Sequence, residues 1–246
     1  MDTIFSFFSS NLPSTRAIIV GIPLSLLWAW CCLWFAGYLK HVKGVKTGYT
    51  RKMFHILTFV SVVAIQLMWG LPLVCLFGSM ASLVIFYAVI RGTGYPLYDA
   101  MAREQDAPHQ TYYVVIPYFA TLLGGIVSNI LFGPLSLVGY LVVGVGDAAG
   151  EPIGTKWGRH SYAVPGIGER RATRTYEGSA GILIVTSLML LVAFSLSPQL
   201  HFTARTIVML PVIALGCTLI EAVSPHGWDN ATMQILSALM TVVLIR

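Results

Sequence analysis

Charged residues are scarce in this chain. They make up 10% of its 246 residues, whereas hydrophobic residues make up 56%, and the mean hydropathy is +0.76. A soluble domain of this length has too little interior to bury so much apolar surface. The composition therefore indicates an all-α polytopic membrane helix bundle, which we expect to form a single integral membrane domain over residues 1–246.

The motifs of several common sites are missing as well. None of the four cysteines belongs to a CxxC or another metal-type spacing, so we expect them to be packing residues. A Walker A loop is absent, since the glycine-rich stretch 165–169 lacks the GK[ST] ending, and no GxGxxG motif follows a strand. Any nucleotide must therefore be held in another way. The first 16 residues resemble neither a signal peptide nor a transit peptide.

Apolar runs predict about eight transmembrane helices of roughly 17–22 residues each. We place them at 18–39, 53–69, 71–90, 114–132, 135–150, 178–197, 205–223 and 231–245. Two of the connections, at 70–72 and 133–134, are predicted to be short turns that contain glycine and proline.

Basic residues orient this bundle. Most of them fall in the first, third and fifth loops: Lys40, Lys43, Lys46, Arg51, Lys52, Arg91, Arg103, Lys156, Arg159, Arg170, Arg171 and Arg174. The positive-inside rule places these loops in the cytoplasm, and we expect a multi-pass protein of a prokaryotic cytoplasmic membrane. The net charge of +5 follows from this asymmetry, and no basic face with interleaved aromatic residues suggests a nucleic-acid partner.

Six of the ten acidic residues map to the cytoplasmic ends of spans five to eight or to the loops between them: Asp147, Glu151, Glu169, Glu177, Glu221 and Asp229. Ionisable groups so close to the membrane are costly and are read as functional by default. Asp147 and Glu151 are four residues apart, which puts both carboxylates on one face of a helix. Their repulsion is relieved by a divalent cation, and Mg²⁺ commonly takes one or two carboxylates together with substrate phosphates.

A cytoplasmic loop over about 151–177 is predicted to be catalytic. It offers five cations for phosphate oxygens, although anionic lipid headgroups would attract the same charges. Glycines recur every four residues from Gly146 to Gly158, and they fit helix packing and close approach of a phosphate chain equally well. Pro152 predicts a break in the helix nearby.

Three blocks of sequence carry a family resemblance. GDAAGEPIGTKWGR at 146–159, followed by RTYEGSAG at 174–181, resembles the GD-x-x-A-x-x-x-G…K-T-x-E-G-S signature of CTP-dependent lipid kinases. That group contains dolichol kinase, phytol/farnesol kinase and CTP-dependent diacylglycerol kinase. The RKMFH stretch at 51–55 is similar to its R-K-x-x-H, and EAVSP…DNAT at 221–232 is similar to its C-terminal block. Gly150 and Arg174 stand where alanine and lysine are usual.

The resemblance implies transfer of the γ-phosphate of a nucleoside triphosphate, CTP, to a lipid alcohol: phytol, farnesol, a polyprenol or diacylglycerol. We assign Mg²⁺ to Asp147 and Glu151, with Glu177 or Asp229 completing the site. Phosphates are assigned to Arg51, Lys52, Lys156, Arg170, Arg171 and Arg174, with Gly150, Gly154 and Asn230 beside them. Asp147 is counted among the catalytic residues. The general base is His55, Glu221 or Asp229, and the sequence does not choose among them. The sequence neither predicts nor excludes a homodimer.

Two alternatives remain at this stage. CDP-diacylglycerol synthases share the middle block, but their last segment resembles K-R-x-x-K-D followed by G-H-G-G-x-x-D-R-x-D. This chain has Glu221 and Asp229 there instead. A lipid transporter or scramblase would use the same polar cavity without any nucleotide, and would be expected to show inverted repeats, which we do not find.

Overall fold

A computed structural model describes residues 2–164, 172–225 and 227–245. Arg170 and Arg171 lie outside the described residues. The chain divides into two compact units, Met1–Val114 and Val115–Arg246. The single membrane domain expected from composition stays a prediction.

The first unit consists of helices in the residues that are described: α1 (Asp2–Ser10), α2 (Thr15–His41), α3 (Thr47–Trp69), α4 (Leu71–Arg91) and α5 (Pro96–Asp99). The predicted turn at 70–72 is present: Gly70 has a φ of +79°, which a glycine adopts without strain, and Pro72 lies in the first turn of α4. Helix α2 packs against α3, α4 and α5. Gly37 permits the last contact, because a Cβ there would lie 2.8 Å from the carbonyl oxygen of Pro96.

Ion pairs organise the hydrophilic segment that follows α4. Lys40 near the end of α2 bonds Glu104, and this hydrogen bond lowers the pKa of the Glu104 carboxyl. His41 lies 3.0 Å from Asp99, measured between Nε2 and Oδ2. Two acids of this loop, Asp99 and Glu104, therefore bind it to the end of α2.

The second unit contains most of α6 (Gln110–Phe132) and the elements that follow it: α7 (Ser136–Leu141), α8 (Gly150–Trp157), β1 (Ser161–Val164), β2 (Ala172–Thr175), α9 (Tyr176–Leu196), α10 (Ala204–Val223) and α11 (Asp229–Ile245). A π-helical turn, Val142–Gly146, and a 3₁₀ turn, Asp147–Ala149, join α7 to α8. The two strands pair antiparallel, with Tyr162 opposite Arg174. Part of the predicted catalytic loop is thus a helix followed by a β-hairpin.

The chain reverses direction between α6 and α7, as the Gly-Pro pair predicts. Gly133 has a φ of +54°. Asn129 accepts a hydrogen bond from Ser136 at 2.8 Å and donates one to the hydroxyl of Tyr140. Residues 11 apart in a continuous helix would be separated by about 16 Å, so these bonds show that the chain turns back after α6 and does not continue as one long helix.

Six helical segments of the described chain are long and apolar enough to cross a membrane. One of them, Gln110–Trp157, is 48 residues long and includes two of the predicted spans together with the reversal at Gly133. The last predicted span corresponds to α11, which has 17 residues. The all-α polytopic fold is confirmed, and the number of crossings is close to eight.

Candidate active site

Three carboxylates meet at one end of the second unit. Asp147 lies in the 3₁₀ turn before α8, Glu221 in the last turn of α10 and Asp229 at the start of α11. One oxygen atom from each lies within 4.8 Å of the others. Asp147 and Glu221 are only 4% and 5% exposed. Such a group of buried acids is costly unless cations balance it.

Arg174 is one such cation. Its Nε atom lies 2.7 Å from Oε1 of Glu221, and its Nη2 atom lies 3.0 Å from Oδ2 of Asp229. The arginine side chain is 13% exposed. Its remaining nitrogen, Nη1, is buried and has no hydrogen-bond partner among the described residues. A buried guanidinium N–H is a strong donor, so this atom is suited to an anionic oxygen from a ligand.

Helix ends explain why the arginine is needed. A carboxylate at the N-terminus of α11, such as Asp229, is stabilised by the helix dipole, but Glu221 at the C-terminus of α10 is destabilised by it. The linker between the two helices is short, with Gly227 at a φ of +92°. It brings the two acids together, and Arg174 offsets the unfavourable charge of Glu221.

The backbone at Asp147 departs from a regular α-helix. The expected interruption of the helix near Pro152 is present: α8 begins at Gly150, and Pro152 is its third residue, where its missing N–H costs no intrahelical bond. The irregular stretch lies upstream, in the π turn and the 3₁₀ turn of residues 142–149. Single π turns often mark functional sites, and this one places Asp147 in the buried cluster.

Glu151 and Glu177 have other surroundings. Glu177 Oε1 lies 2.8 Å from Nδ1 of His160, and its Oε2 accepts a hydrogen bond from the His160 backbone N–H at 3.3 Å. Glu151 is half-buried on α8. Spacing along an ideal helix predicts Asp147 and Glu151 as a pair, but the structure groups Asp147 with Glu221 and Asp229. The metal-ligand role of Glu151 and Glu177 stays a prediction.

The two glycines assigned to the nucleotide line a helix contact. A Cβ on Gly150 would lie 2.6 Å from Cδ1 of Ile182, and one on Gly154 would lie 2.7 Å from Oγ1 of Thr175. Of the two roles left open by the sequence, the geometry favours close packing of α8 on α9.

Asn230 was assigned to phosphate, but its side-chain amide is occupied. It donates to the carbonyl of Pro117 at 3.2 Å and to Oγ1 of Thr121 at 2.8 Å. Gln234, one turn later, donates to the Thr121 carbonyl at 3.2 Å and is fully buried. These bonds hold α11 to the proline-containing part of α6 and so position Asp229. In this structure the Asn230 amide therefore positions α11, and its predicted contact with phosphate stays a prediction.

The remaining assigned residues are spread over both units. Arg51, Lys52 and His55 are half-buried near the start of α3 in the first unit, and the ring of His55 packs 4.7 Å from that of Phe59. Their roles stay predictions. In the second unit Lys156 is exposed at the end of α8, with its Nζ 4.6 Å from the ring centre of Trp157.

The chain is similar to phytol kinase from Synechocystis sp. (strain PCC 6803), with 26% identity over 234 residues that cover 94% of each chain. No protein-family model matches the chain, and no solved structure matches it. The full-length similarity supports the assignment, made from the sequence motifs, to the polyprenol and phytol kinase family.

Proposed function

We propose that this protein is a membrane kinase that transfers the γ-phosphate of a nucleoside triphosphate to the hydroxyl group of a lipid alcohol. The observation that carries the proposal is the buried cluster of Asp147, Glu221 and Asp229 with Arg174 beside it. Phosphoryl transfer depends mainly on positioning and on neutralising charge, and this cluster contains groups for both. The similarity to a phytol kinase gives independent support.

The three carboxylates suit Mg²⁺, which prefers oxygen ligands and binds one or two carboxylates together with substrate phosphates. Their oxygen atoms are close enough to share an ion. Asp147, Glu221 and Asp229 would hold it, and it would supply positive charge to the oxygens of the triphosphate. This set replaces Glu151 and Glu177 as the preferred ligands, because those two residues are not part of the cluster.

Arg174 has two tasks in the proposed site. Before substrate binds, it balances the acids through its bonds to Glu221 and Asp229. Its buried Nη1 atom can also donate to a phosphate oxygen. Asp229 and Glu221 are the candidates within the cluster for taking the proton of the attacking hydroxyl.

The position of the cluster suits a substrate dissolved in the bilayer. Glu221 and Asp229 lie at the ends of long apolar helices, so a lipid alcohol can present its hydroxyl there while its chain stays in hydrocarbon. We propose that this end faces the cytoplasm, where the nucleotide is found, because the basic loops favour that orientation. An isoprenoid alcohol is the proposed acceptor and CTP the proposed donor, from the motif resemblance and the similarity to phytol kinase.

The test is label transfer by the purified protein in lipid nanodiscs with Mg²⁺. CTP labelled at the γ-phosphate or at the α-phosphate is supplied with phytol, farnesol, a polyprenol, diacylglycerol or phosphatidate. We expect γ-label in an alcohol and no α-label in any lipid. The Asp147→Asn variant, which keeps the shape of the side chain but loses its charge, should reduce transfer by at least about 100-fold.

Transfer of the α-label to phosphatidate, with release of pyrophosphate, would show that the protein is a cytidylyltransferase and not a kinase. Absence of transfer from CTP, ATP, GTP and UTP to every lipid tested would reject a nucleotide-dependent enzyme.

A further inference from the structure

Thr186, in the middle of α9, holds its hydroxyl group differently from neighbouring polar residues. A serine or threonine in a membrane helix often donates to the carbonyl four residues earlier. Ser187, the next residue, does so to Leu183 at 2.7 Å, and Thr218 in α10 does so to Ala214 at 2.9 Å. Thr186 is fully buried, and its Oγ1 atom has no hydrogen-bond partner among the described residues. Its hydroxyl is therefore not used to bond its own helix.

The hydroxyl of Thr186 lies against the π turn that precedes Asp147. A Cβ on Gly146, the last residue of that turn, would overlap Oγ1 of Thr186 and would lie 3.3 Å from its Cα. The oxygen thus takes the space where another residue at position 146 would have its Cβ. Gly146 allows the turn to approach α9 this closely, as small residues do where membrane helices meet.

Gly150 contacts the same helix, but its contact is more tolerant. Within 3.4 Å, a Cβ on Gly150 would meet only side-chain atoms of Ile182, whereas a Cβ on Gly146 would also meet the Cα of Thr186. The short, β-branched side chain of a threonine has little freedom to move away. The contact of Gly146 with Thr186 is therefore the stricter of the two.

This contact is connected directly to the acid cluster. The backbone N–H of Asp147 donates to the Val142 carbonyl five residues earlier, which is the hydrogen bond of a π turn. If the turn became a regular α-helix, the residues after it would shift by one position, which is a rotation of about 100° around the helix. Asp147 would then leave the group that it forms with Glu221 and Asp229. The three carboxylates meet only while the π turn is held in place.

We propose that Thr186 is a positioning residue, which holds the π turn through Gly146 and so keeps the carboxylate of Asp147 in the Mg²⁺ site. The proposal rests on the kinase function proposed above. It adds to that site a residue of α9 that acts through the backbone of the turn and not through a bond to the metal.

The test measures Mn²⁺ binding by electron paramagnetic resonance, with the full-length protein in nanodiscs and without nucleotide. Mn²⁺ stands in for Mg²⁺, since both prefer carboxylate ligands. Gly146→Ala should raise the Kd for Mn²⁺ about tenfold or more, because the added Cβ pushes the turn away from α9. Thr186→Ala should raise it about threefold or more, because the turn loses its contact, whereas Thr186→Ser keeps the oxygen and should raise it less than about twofold.

The double variant gives the sharpest result. In Gly146→Ala/Thr186→Ala the second change removes Oγ1 and makes room for the added Cβ, so we expect the Kd to return to within about threefold of the wild-type value. Two independent structural defects would add instead. Ser187→Ala is the matched control, because it removes a hydroxyl of the same helix that is bonded within α9. It should neither change the Kd nor rescue Gly146→Ala.

Hydrogen exchange of residues 142–149 gives a readout that needs neither metal nor activity. Protection of these amides should fall in Gly146→Ala and return in the double variant, because the Asp147 N–H is bonded within the π turn.

The positioning role is overturned by a double variant that binds Mn²⁺ no more tightly than Gly146→Ala, or by a wild-type protein that does not bind Mn²⁺. An active kinase in which Gly146→Ala leaves the Kd for Mn²⁺ unchanged would also reject it, and the kinase would stand. If the wild-type protein transfers no phosphate but the variants show the expected ranking of Mn²⁺ affinity, the kinase proposal fails and the positioning role stands.

Discussion

Single substitutions can distinguish the two proposed sets of Mg²⁺ ligands. Glu221 belongs only to the set taken from the structure, and Glu151 belongs only to the set predicted from the sequence. The geometry predicts that Glu221→Gln raises the Mg²⁺ concentration needed for half-maximal activity about tenfold or more, because a neutral amide replaces one of three clustered carboxylates. Glu151→Gln, the matched control, should change it by less than about threefold. A Mg²⁺ titration of both variants in the label-transfer assay decides the question. The opposite ranking would restore the pair of Asp147 and Glu151.

The sequence alone identifies the residues of this cluster as candidates for the site. It does not show which of them lie together in the folded protein. Ionisable groups at the ends of apolar segments are rare enough to identify Asp147, Glu221, Asp229 and Arg174. Which acids meet depends on where the helix is irregular. The 3₁₀ turn at Asp147–Ala149 interrupts the α-helical spacing on which the pairing of Asp147 with Glu151 depends, and a π turn precedes it. Such single irregular turns leave no clear pattern in composition.

The contact between α8 and α9 gives a prediction at the scale of secondary-structure elements. A Cβ on Gly178 would lie 2.9 Å from the backbone carbonyl oxygen of Gly150, which cannot rotate away as a side chain can. Gly178→Ala should therefore destabilise the protein by about 1–3 kcal/mol and lower its thermal midpoint in detergent. Gly78→Ala is the control, since a Cβ there meets nothing within 4 Å. Equal midpoints for the two variants would show that α8 and α9 are not closely packed.

Apolar length predicts the long helices well, and glycine with proline predicts the two tight reversals. The hairpin of β1 and β2 has a weaker signal. Each strand has only four residues, too few for an alternating pattern to be distinguished from a polar loop. The sequence therefore predicts a loop over this stretch and gives no sign that Tyr162 pairs with Arg174.

Orientation in the membrane is a property of the whole molecule, and the proposed site depends on it. Single cysteines are introduced at Ser161 and at Gln199, both exposed, in a chain from which the four native cysteines are removed. A membrane-impermeant thiol reagent added to intact cells should label position 199 and should label position 161 only after the cells are opened. Ser197 is a poorer choice than Gln199, because it is only 6% exposed.

The reverse labelling pattern would invert the bundle and place the acid cluster outside the cell. Labelling of both positions in intact cells would mean that α9 does not cross the bilayer between them.

The reversal between α6 and α7 has a consequence for how the protein enters the membrane during its synthesis. The Asn129 side chain bonds Ser136 and Tyr140 across the hairpin and is 5% exposed. If α6 inserted alone, that amide would keep its bond to the Gly125 carbonyl within α6 but would lose both partners after Gly133, which is unfavourable by about 1–3 kcal/mol. We therefore expect the translocation machinery to release α6 and the segment after Gly133 into lipid as a pair, with their polar groups already joined.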